Sequence, residues 1–394
     1  MNIYILLLCC SVSGGTYPKQ VDHSILSNPL SKISYTGFIP ISAQSKTFYW
    51  LFLSDSNAST KPVLLWLQGQ IGVSTLFGVL EEFTPEWSKE YNLLFVDAPI
   101  GTGFSEGDEY ATSSEEIAAQ VVYFLNSFYK RHGSSIGKEL IIAGEDYAGH
   151  TIPVIASLVL FEAEHSEYTL IGTAVGNGHT HAPIQVITKA ESAAIFGLVD
   201  GDCLTEARQH AWASSAKSLA GNYIGSLDER NKLEETILKC APSVDMSHVD
   251  EKMKTPFTRT QEIVDDPNFL ASIGIEKKFV VKNPKVLLNL NPDIMKPVWQ
   301  YIPGVLHSVP TLWYQGQLDW VDGVYSNEAW INALEWSGAA GYANANRTEC
   351  PAGYLKEFQF LSEAMVRGAG HLALKEKPSE VLNLFKHVFG RKEF

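Results

Sequence analysis

The sequence predicts an α/β fold: a mostly parallel β-sheet covered by helices on both faces and interrupted once by a helical insertion. Three observations carry this expectation. Of 394 residues, 45% are hydrophobic and 19% charged, enough to bury a large core within one chain without an oligomer. Short apolar runs bounded by turn residues recur with helical segments between them, the pattern of strands buried on both faces. From 195 to about 295 the alternation stops, and charged amphipathic stretches such as LTEARQHAWASSAKSL and DERNKLEETILKC replace it.

Taken in order, the chain opens with MNIYILLLCCSVSGG, an apolar run of signal-peptide length with small residues at Ser11, Ser13 and Gly15. Residues 1–15 are therefore expected to leave on export, placing the mature protein outside the cell or in a lysosome-like compartment of the secretory pathway. No later run reaches the roughly 18 apolar residues of a membrane span. Core strands are expected at 63–67, 93–97, 140–143, 170–175, 311–314 and 358–365. They divide the chain into a first core segment at 16–194, an insertion at 195–295 and a second core segment at 296–394.

Charge narrows the function classes. With 30 Lys+Arg against 44 Asp+Glu and a net charge of −14, the chain offers no basic footprint for nucleic acid, whose binding depends on counterion release by clustered cations. Loss of the leader would remove Cys9 and Cys10 and leave Cys203, Cys240 and Cys350. Cys203 and Cys240 flank one helical stretch, and a bridge between them would stabilise the fold by roughly 3–4 kcal/mol through loop closure. Cys350 is the odd one out, and three reduced cysteines are the alternative. Asn57-Ala-Ser and Asn346-Arg-Thr are glycosylation sequons in polar, turn-like stretches.

The chemistry concentrates at strand ends. In LIIAGEDYAG (140–149) an apolar run meets small residues and passes directly into the helical TIPVIASLVL, the strand-turn-helix context of a nucleophile elbow with Asp146 at its tip. Downstream, YQGQLD ends one apolar run at Asp319 and VRGAGH ends the next at His371. Open α/β sheets place ligands at these carboxyl ends, and the order elbow, acid, histidine is that of the α/β-hydrolase fold. Two decoys are set aside. Gly101-Thr-Gly-Phe-Ser-Glu-Gly107 has its third glycine one place too far for a dinucleotide motif. His179 and His181 lack a further ligand and read as surface loop residues. No metal and no cofactor are expected.

These motifs resemble the serine carboxypeptidase family, and within it the vitellogenic carboxypeptidase-like branch. SYTGF (34–38) is similar to the family's opening motif, LWLQGQIG (65–72) to its W-L-N-G-G-P-G segment, and DAPIGTGFS (97–105) to D-x-P-x-G-x-G-F-S; GEDYAG (144–149) stands where the family has G-E-S-Y-A-G. VGNG (175–178), GQLD (316–319) and GAGH (368–371) complete a set running from about residue 34 to 390. The resemblance implies a triad of the 146 position, Asp319 and His371. It implies an oxyanion hole from the N–H groups of Gln70 and Tyr147, and a site for a peptide's C-terminal carboxylate at Gln68, Gly69, Glu82 and Glu145. It leaves open whether Glu81 or Glu82 points inward.

The departures carry equal weight. Asp146 stands where the family has its nucleophilic Ser, and Gln70 where it has a glycine that close approach or a positive φ would require. Reverting Asp146 alone is therefore expected to restore little activity. The stretch at 84–87 is shorter than usual, which implies a lost substrate-binding loop. Asp146 is already an anion beside His371, so it favours the imidazolium, which cannot act as general base. The expected function is a secreted, catalytically impaired relative that still binds peptide or protein C-termini. Alternatives are residual carboxypeptidase activity through water, or an Asp-nucleophile hydrolase acting on epoxides or alkyl halides.

Overall fold

The computed structural model describes residues 18–21, 29–252, 257–275, 279 and 281–390, so the expected leader at 1–15 lies outside the described residues. In chain order the strands are β1 (Lys19–Gln20), β2 (Ser34–Pro40), β3 (Lys46–Phe52), β4 (Val63–Leu67), β5 (Asn92–Val96), β6 (Glu139–Glu145), β7 (Thr169–Gly176), β8 (Val244–Asp245), β9 (His248–Lys252), β10 (Thr311–Gly316), β11 (Arg347–Cys350), β12 (Gly353–Phe358) and β13 (Leu361–Val366). Eleven join in one sheet, ordered β1-β2-β3-β5-β4-β6-β7-β10-β13-β12-β11. The middle, from β5 to β13, is parallel. Both flanks are antiparallel.

Alternate residues of the central strands feed two separate cores. Val63, Leu65 and Leu67 face one cluster with Leu140 and Ile142. Leu64 and Trp66 face the other with Ile141 and Ala143. This two-sided burial explains why these strands read as continuous apolar runs. The expected strand at 358–365 is corrected: the run breaks at Gln359, whose φ is 52°, and folds back so that β12 and β13 pair antiparallel from Phe358 opposite Leu361. Phe358, Phe360 and Leu361 keep the sequence apolar on both sides of Gln359, with no Gly, Pro, Asn or Asp to mark the turn. The flanking strands β2 and β11 were not anticipated, because SYTGFIP carries a glycine and a proline and RTEC has no apolar alternation.

Helices cover the sheet: α1 (Ser114–His132), α2 (Ala148–Phe161), α3 (Ala182–Ile195), α4 (Gly201–Leu219), α5 (Tyr223–Cys240), α6 (Thr258–Val264), α7 (Pro267–Ser272), α8 (Pro284–Ile294), α9 (Ile302–Ser308), α10 (Val324–Ala333), α11 (Ala339–Asn344), α12 (Ala373–Glu376) and α13 (Pro378–Phe389). α1 shows why such segments start and stop where they do. Ser113 caps its first turn by accepting from the Glu116 N–H, Glu115 and Glu116 follow, and Lys130, Arg131 and His132 end it, matching charge to the helix dipole. α4 and α5 form a hairpin closed by a disulfide between Cys203 and Cys240, while Cys350 is free. Among the described residues, β8 and β9 pair only with each other. The ribbon they form reaches back to the strand-end loops: Val249 N–H donates to Leu318 O, Trp320 N–H to Met246 O and His371 N–H to Ser247 O at 2.7–3.1 Å.

Candidate active site

β6 ends at Glu145 and α2 begins at Ala148, leaving two residues for the turn. A Cβ on Gly144 would lie 2.4 Å from Leu67 O and 2.6 Å from the Ala148 Cβ, so only glycine allows the helix to fold back this tightly. The tip residue, Asp146, takes φ 54°, a left-handed conformation that Asp tolerates better than most side chains. Its own N–H donates to Gly176 O, and its carbonyl accepts from Gly149 and His179 N–H groups at 3.0, 3.0 and 2.8 Å. The backbone clamp leaves the Asp146 side chain 24% exposed above the sheet.

β10 and β13 bring the other two members. His371 Nδ1 lies 2.9 Å from Asp319 Oδ2, and His371 Nε2 lies 3.8 Å from Asp146 Oδ2. Asp319 is fixed by Asn177 Nδ2 at 2.7 Å and by the N–H groups of Val321 and Asp322 at 2.7 and 3.1 Å. Burial works against a charged His371. The carboxylates of Asp319 and Asp146 outweigh it and hold the imidazole well above the usual histidine range.

The 68–70 loop, after β4, presses against the elbow backbone. A Cβ on Gly69 would fall 1.4 Å from Glu145 O and 2.9 Å from Tyr147 N, which brings the N–H groups of Gln70 and Tyr147 into one neighbourhood. In this loop Gly69 makes a close backbone approach, and the positive φ of 78° belongs to Gly72. Gln70 is not among the left-handed residues, so its side chain brings no backbone strain. A small crevice beside the loop is walled by Gln68, Gly69, Ile71, Tyr147, Thr151 and Leu290; Asp146 and His371 are not in its walls.

Gln68 Nε2 donates to Glu145 Oε1 at 2.9 Å, and Trp66 Nε1 donates to Gln68 Oε1 at 3.3 Å. Glu82, on a short π-helical turn (Gly78–Glu82), is the inward glutamate and is 1% exposed. Glu81 instead accepts from Lys375 and Thr260. Burial raises the pKa of Glu82 well above the normal range and Glu145 adds to it; burial raises Glu145 as well, against the opposing effect of Glu82, His371 and Gln68. The geometry is that of two carboxyls that cannot both ionise cheaply in one buried space.

His179 and His181 are not surface residues. His179 is buried between Ile294 O at 2.8 Å and Asp322 Oδ1 at 3.4 Å, and His181 caps α3 by accepting from Ile184 N–H. Gly101, Gly103 and Gly107 all have positive φ and belong to a loop around buried Asp97, whose carboxylate accepts from Ser74, Thr75 and Phe104. Sequence reasoning missed four neighbours of the site: Asn177, Tyr314, Asp293 and Arg230. Tyr147 OH donates to Asp293 Oδ2 at 2.7 Å, tying the elbow to α8. Arg230, on α5, pairs with Glu234 at 3.0 Å; although burial opposes its charge, Glu234, Asp322 and Asp146 together favour it. Asn177 and Tyr314 lie inside quoted motifs, whereas nothing local singles out Arg230 or Asp293.

An elbow at the end of a parallel strand, with an acid and a histidine following on later strands, defines a protein of the α/β-hydrolase class. The chain belongs to the serine carboxypeptidase family, peptidase S10, whose model matches residues 25–391. It is 25% identical to the probable serine carboxypeptidase CPVL of Dictyostelium discoideum over 92% of this chain and 79% of that protein. It is also 25% identical to the vitellogenic carboxypeptidase of Aedes aegypti over 93% of this chain and 86% of that protein. In fold it is similar to Kex1(delta)p, a prohormone-processing carboxypeptidase from Saccharomyces cerevisiae, with a TM-score of 0.81, 20% identity, and coverage of 93% of this chain and 95% of that one.

Proposed function

We propose that this protein is a secreted serine carboxypeptidase-like pseudoenzyme that binds the C-termini of peptides or proteins without cleaving them. One observation carries the reading: the atom facing His371 Nε2 is a carboxylate oxygen of Asp146, 3.8 Å away, at the place where an elbow presents its nucleophile. Acyl transfer needs a hydroxyl or thiol that histidine can deprotonate. Asp146 has no such proton, and its charge keeps His371 in the form that cannot accept one. Attack by a carboxylate on a peptide carbonyl would form an anhydride while expelling an amine, an uphill exchange.

Gln68, Gly69, Glu82 and Glu145 supply the binding half. A proton shared by the two buried glutamates gives an incoming carboxylate an O–H donor in place of a second negative charge. Export is supported by the apolar leader sequence, by the Cys203–Cys240 bridge, which suits an oxidising compartment, and by the exposed positions of sequon residues Asn57 and Asn346.

Two measurements test the reading. The mature protein should neither label with a fluorophosphonate probe nor release C-terminal residues from blocked dipeptides above a double Asp319→Ala, His371→Ala control. In calorimetry, peptides with a free C-terminus should bind more tightly at about pH 5 than at pH 7.5 and more tightly than their amides, with micromolar to millimolar affinity. Turnover above the control ends the pseudoenzyme reading; equal binding of acid and amide ends the binding one.

A further inference from the structure

Glu145, Gly176 and Tyr314 are register partners on the three adjacent parallel strands β6, β7 and β10, so their side chains leave the sheet on one face. The middle position has no side chain. A Cβ on Gly176 would lie 2.6 Å from Cζ and 2.7 Å from the hydroxyl of Tyr314, which means that the phenol ring lies across Gly176. The gap left by glycine thus lets β10 deliver a hydroxyl towards the carboxyl at the end of β6.

Among the described residues, four oxygens at that place lack a hydrogen bond of good geometry: both of Glu82, Oε2 of Glu145 and the hydroxyl of Tyr314. All three residues are no more than 1% exposed. Buried polar groups of this kind are normally satisfied by one another or by an ordered water, which needs two to four polar partners. The proximity of Tyr314 to both glutamates also shows in its own ionisation, which burial and then Glu145 and Glu82 suppress.

We propose that Tyr314 is a further positioning residue of the Glu82–Glu145 pair: its hydroxyl donates, directly or through one buried water, to the carboxylate that forms when the pair loses its proton. A donor to the ionised form favours that form, so Tyr314 limits how far up the pH scale the pair stays protonated. The other groups acting on the pair are fixed. Lys375 and Gln68 face Glu82, while His371, Gln68 and Asp146 face Glu145. Of these the two cations and Gln68 favour ionisation, Asp146 opposes it, and none is altered by changing Tyr314.

The test does not depend on any ligand, and only its second arm rests on the C-terminus-binding reading. Infrared difference spectra of the whole protein, with Glu82→Gln identifying the band, follow the protonated carboxyl of the pair against pH. Tyr314→Phe should move the midpoint of its loss upward. Replacing Tyr314 with 3,5-difluorotyrosine, a stronger donor of the same shape, should move it downward, and this variant keeps the test decisive if Tyr314→Phe folds poorly. In the second arm, Tyr314→Phe should bind a free-acid peptide about fivefold more tightly than the wild type at pH 7, the worth of one ordinary hydrogen bond, and equally at pH 5. An unchanged midpoint in both variants, or a downward shift in folded Tyr314→Phe, overturns the role of Tyr314. Equal binding of acid and amide peptides by the wild type, with the midpoints still displaced, would overturn only the binding reading and leave the role of Tyr314 standing.

Discussion

At the scale of single residues, Asp146 has two effects that pull in different directions. Its φ of 54° carries a backbone cost of order 1 kcal/mol, while its carboxylate, with that of Asp319, keeps His371 charged. Asp146→Asn should therefore lower the His371 pKa, read from its imidazole resonances by NMR across pH 5–9; an unchanged titration would show that Asp319 alone sets it. The unstrained backbone of Gln70 changes what reversion should do. Any hydrolysis recovered by Asp146→Ser should change less than about tenfold when Gln70→Gly is added, because there is no left-handed strain at Gln70 for glycine to relieve. Loss of one oxyanion donor costs about 100- to 1,000-fold, so a gain of that size in kcat/KM from Gln70→Gly would show that the glutamine obstructs the hole.

Among the elements, the insertion does more than cover the sheet. The β8–β9 ribbon accepts the backbone N–H of His371 and pairs with both neighbours of Asp319, so the acid and histidine loops are held by a segment distant from both in sequence. A Cβ on Gly370 would lie 2.4 Å from Ser247 O, which leaves no room for a larger residue under the ribbon. α4 and α5 bury only a narrow stripe, with Ala207, Ala211, Leu233 and Ile237 at its centre. The pair consequently depends on its disulfide. Cys203→Ser with Cys240→Ser should destabilise the protein by roughly 3–4 kcal/mol in denaturant titration, the loop-closure value for a separation of 37 residues. A change below about 1 kcal/mol would show that α4 and α5 are held by packing alone.

For the whole molecule, the buried groups set a pH preference. Glu82, Glu145 and His371 have raised folded values, and burial pushes Glu363 up to about 7. Their contribution is complete below the unfolded values, about 4.3 for Glu and 6.5 for His, and is lost as pH rises through the folded ones. The opposing set is as large: Lys217, His210 and Lys232 lower Glu229 to about 2, Asp322 is depressed because Lys189 and His179 overcome its burial, and burial lowers His132, His150 and His181 to about 4. Their contribution is present above the unfolded carboxylate and histidine values and is lost as pH falls. The two sets offset one another up to about pH 6.5, so thermal stability should be highest between about pH 5 and 6.5 and decline towards pH 8, and Glu82→Gln should flatten the alkaline side. A Tm that rises from pH 5 to 8 would contradict this balance.

By itself the sequence determined what is local or ordinal: the parallel central strands, the small residues around Asp146, and the order of elbow, acid and histidine. Strands buried on both faces must be apolar throughout, and a tight turn must carry glycine, so both are legible in single segments. The tertiary structure decided what depends on residues far apart in the chain. It chose Glu82 over Glu81, sent His179 and His181 into the interior, paired Cys203 with Cys240, split 358–365 into a hairpin and brought Arg230 within electrostatic reach of Asp146. It also laid Tyr314 across Gly176 towards Glu145. The sheet makes residues 145, 176 and 314 neighbours through register alone, and no property of any one of the three segments encodes that register.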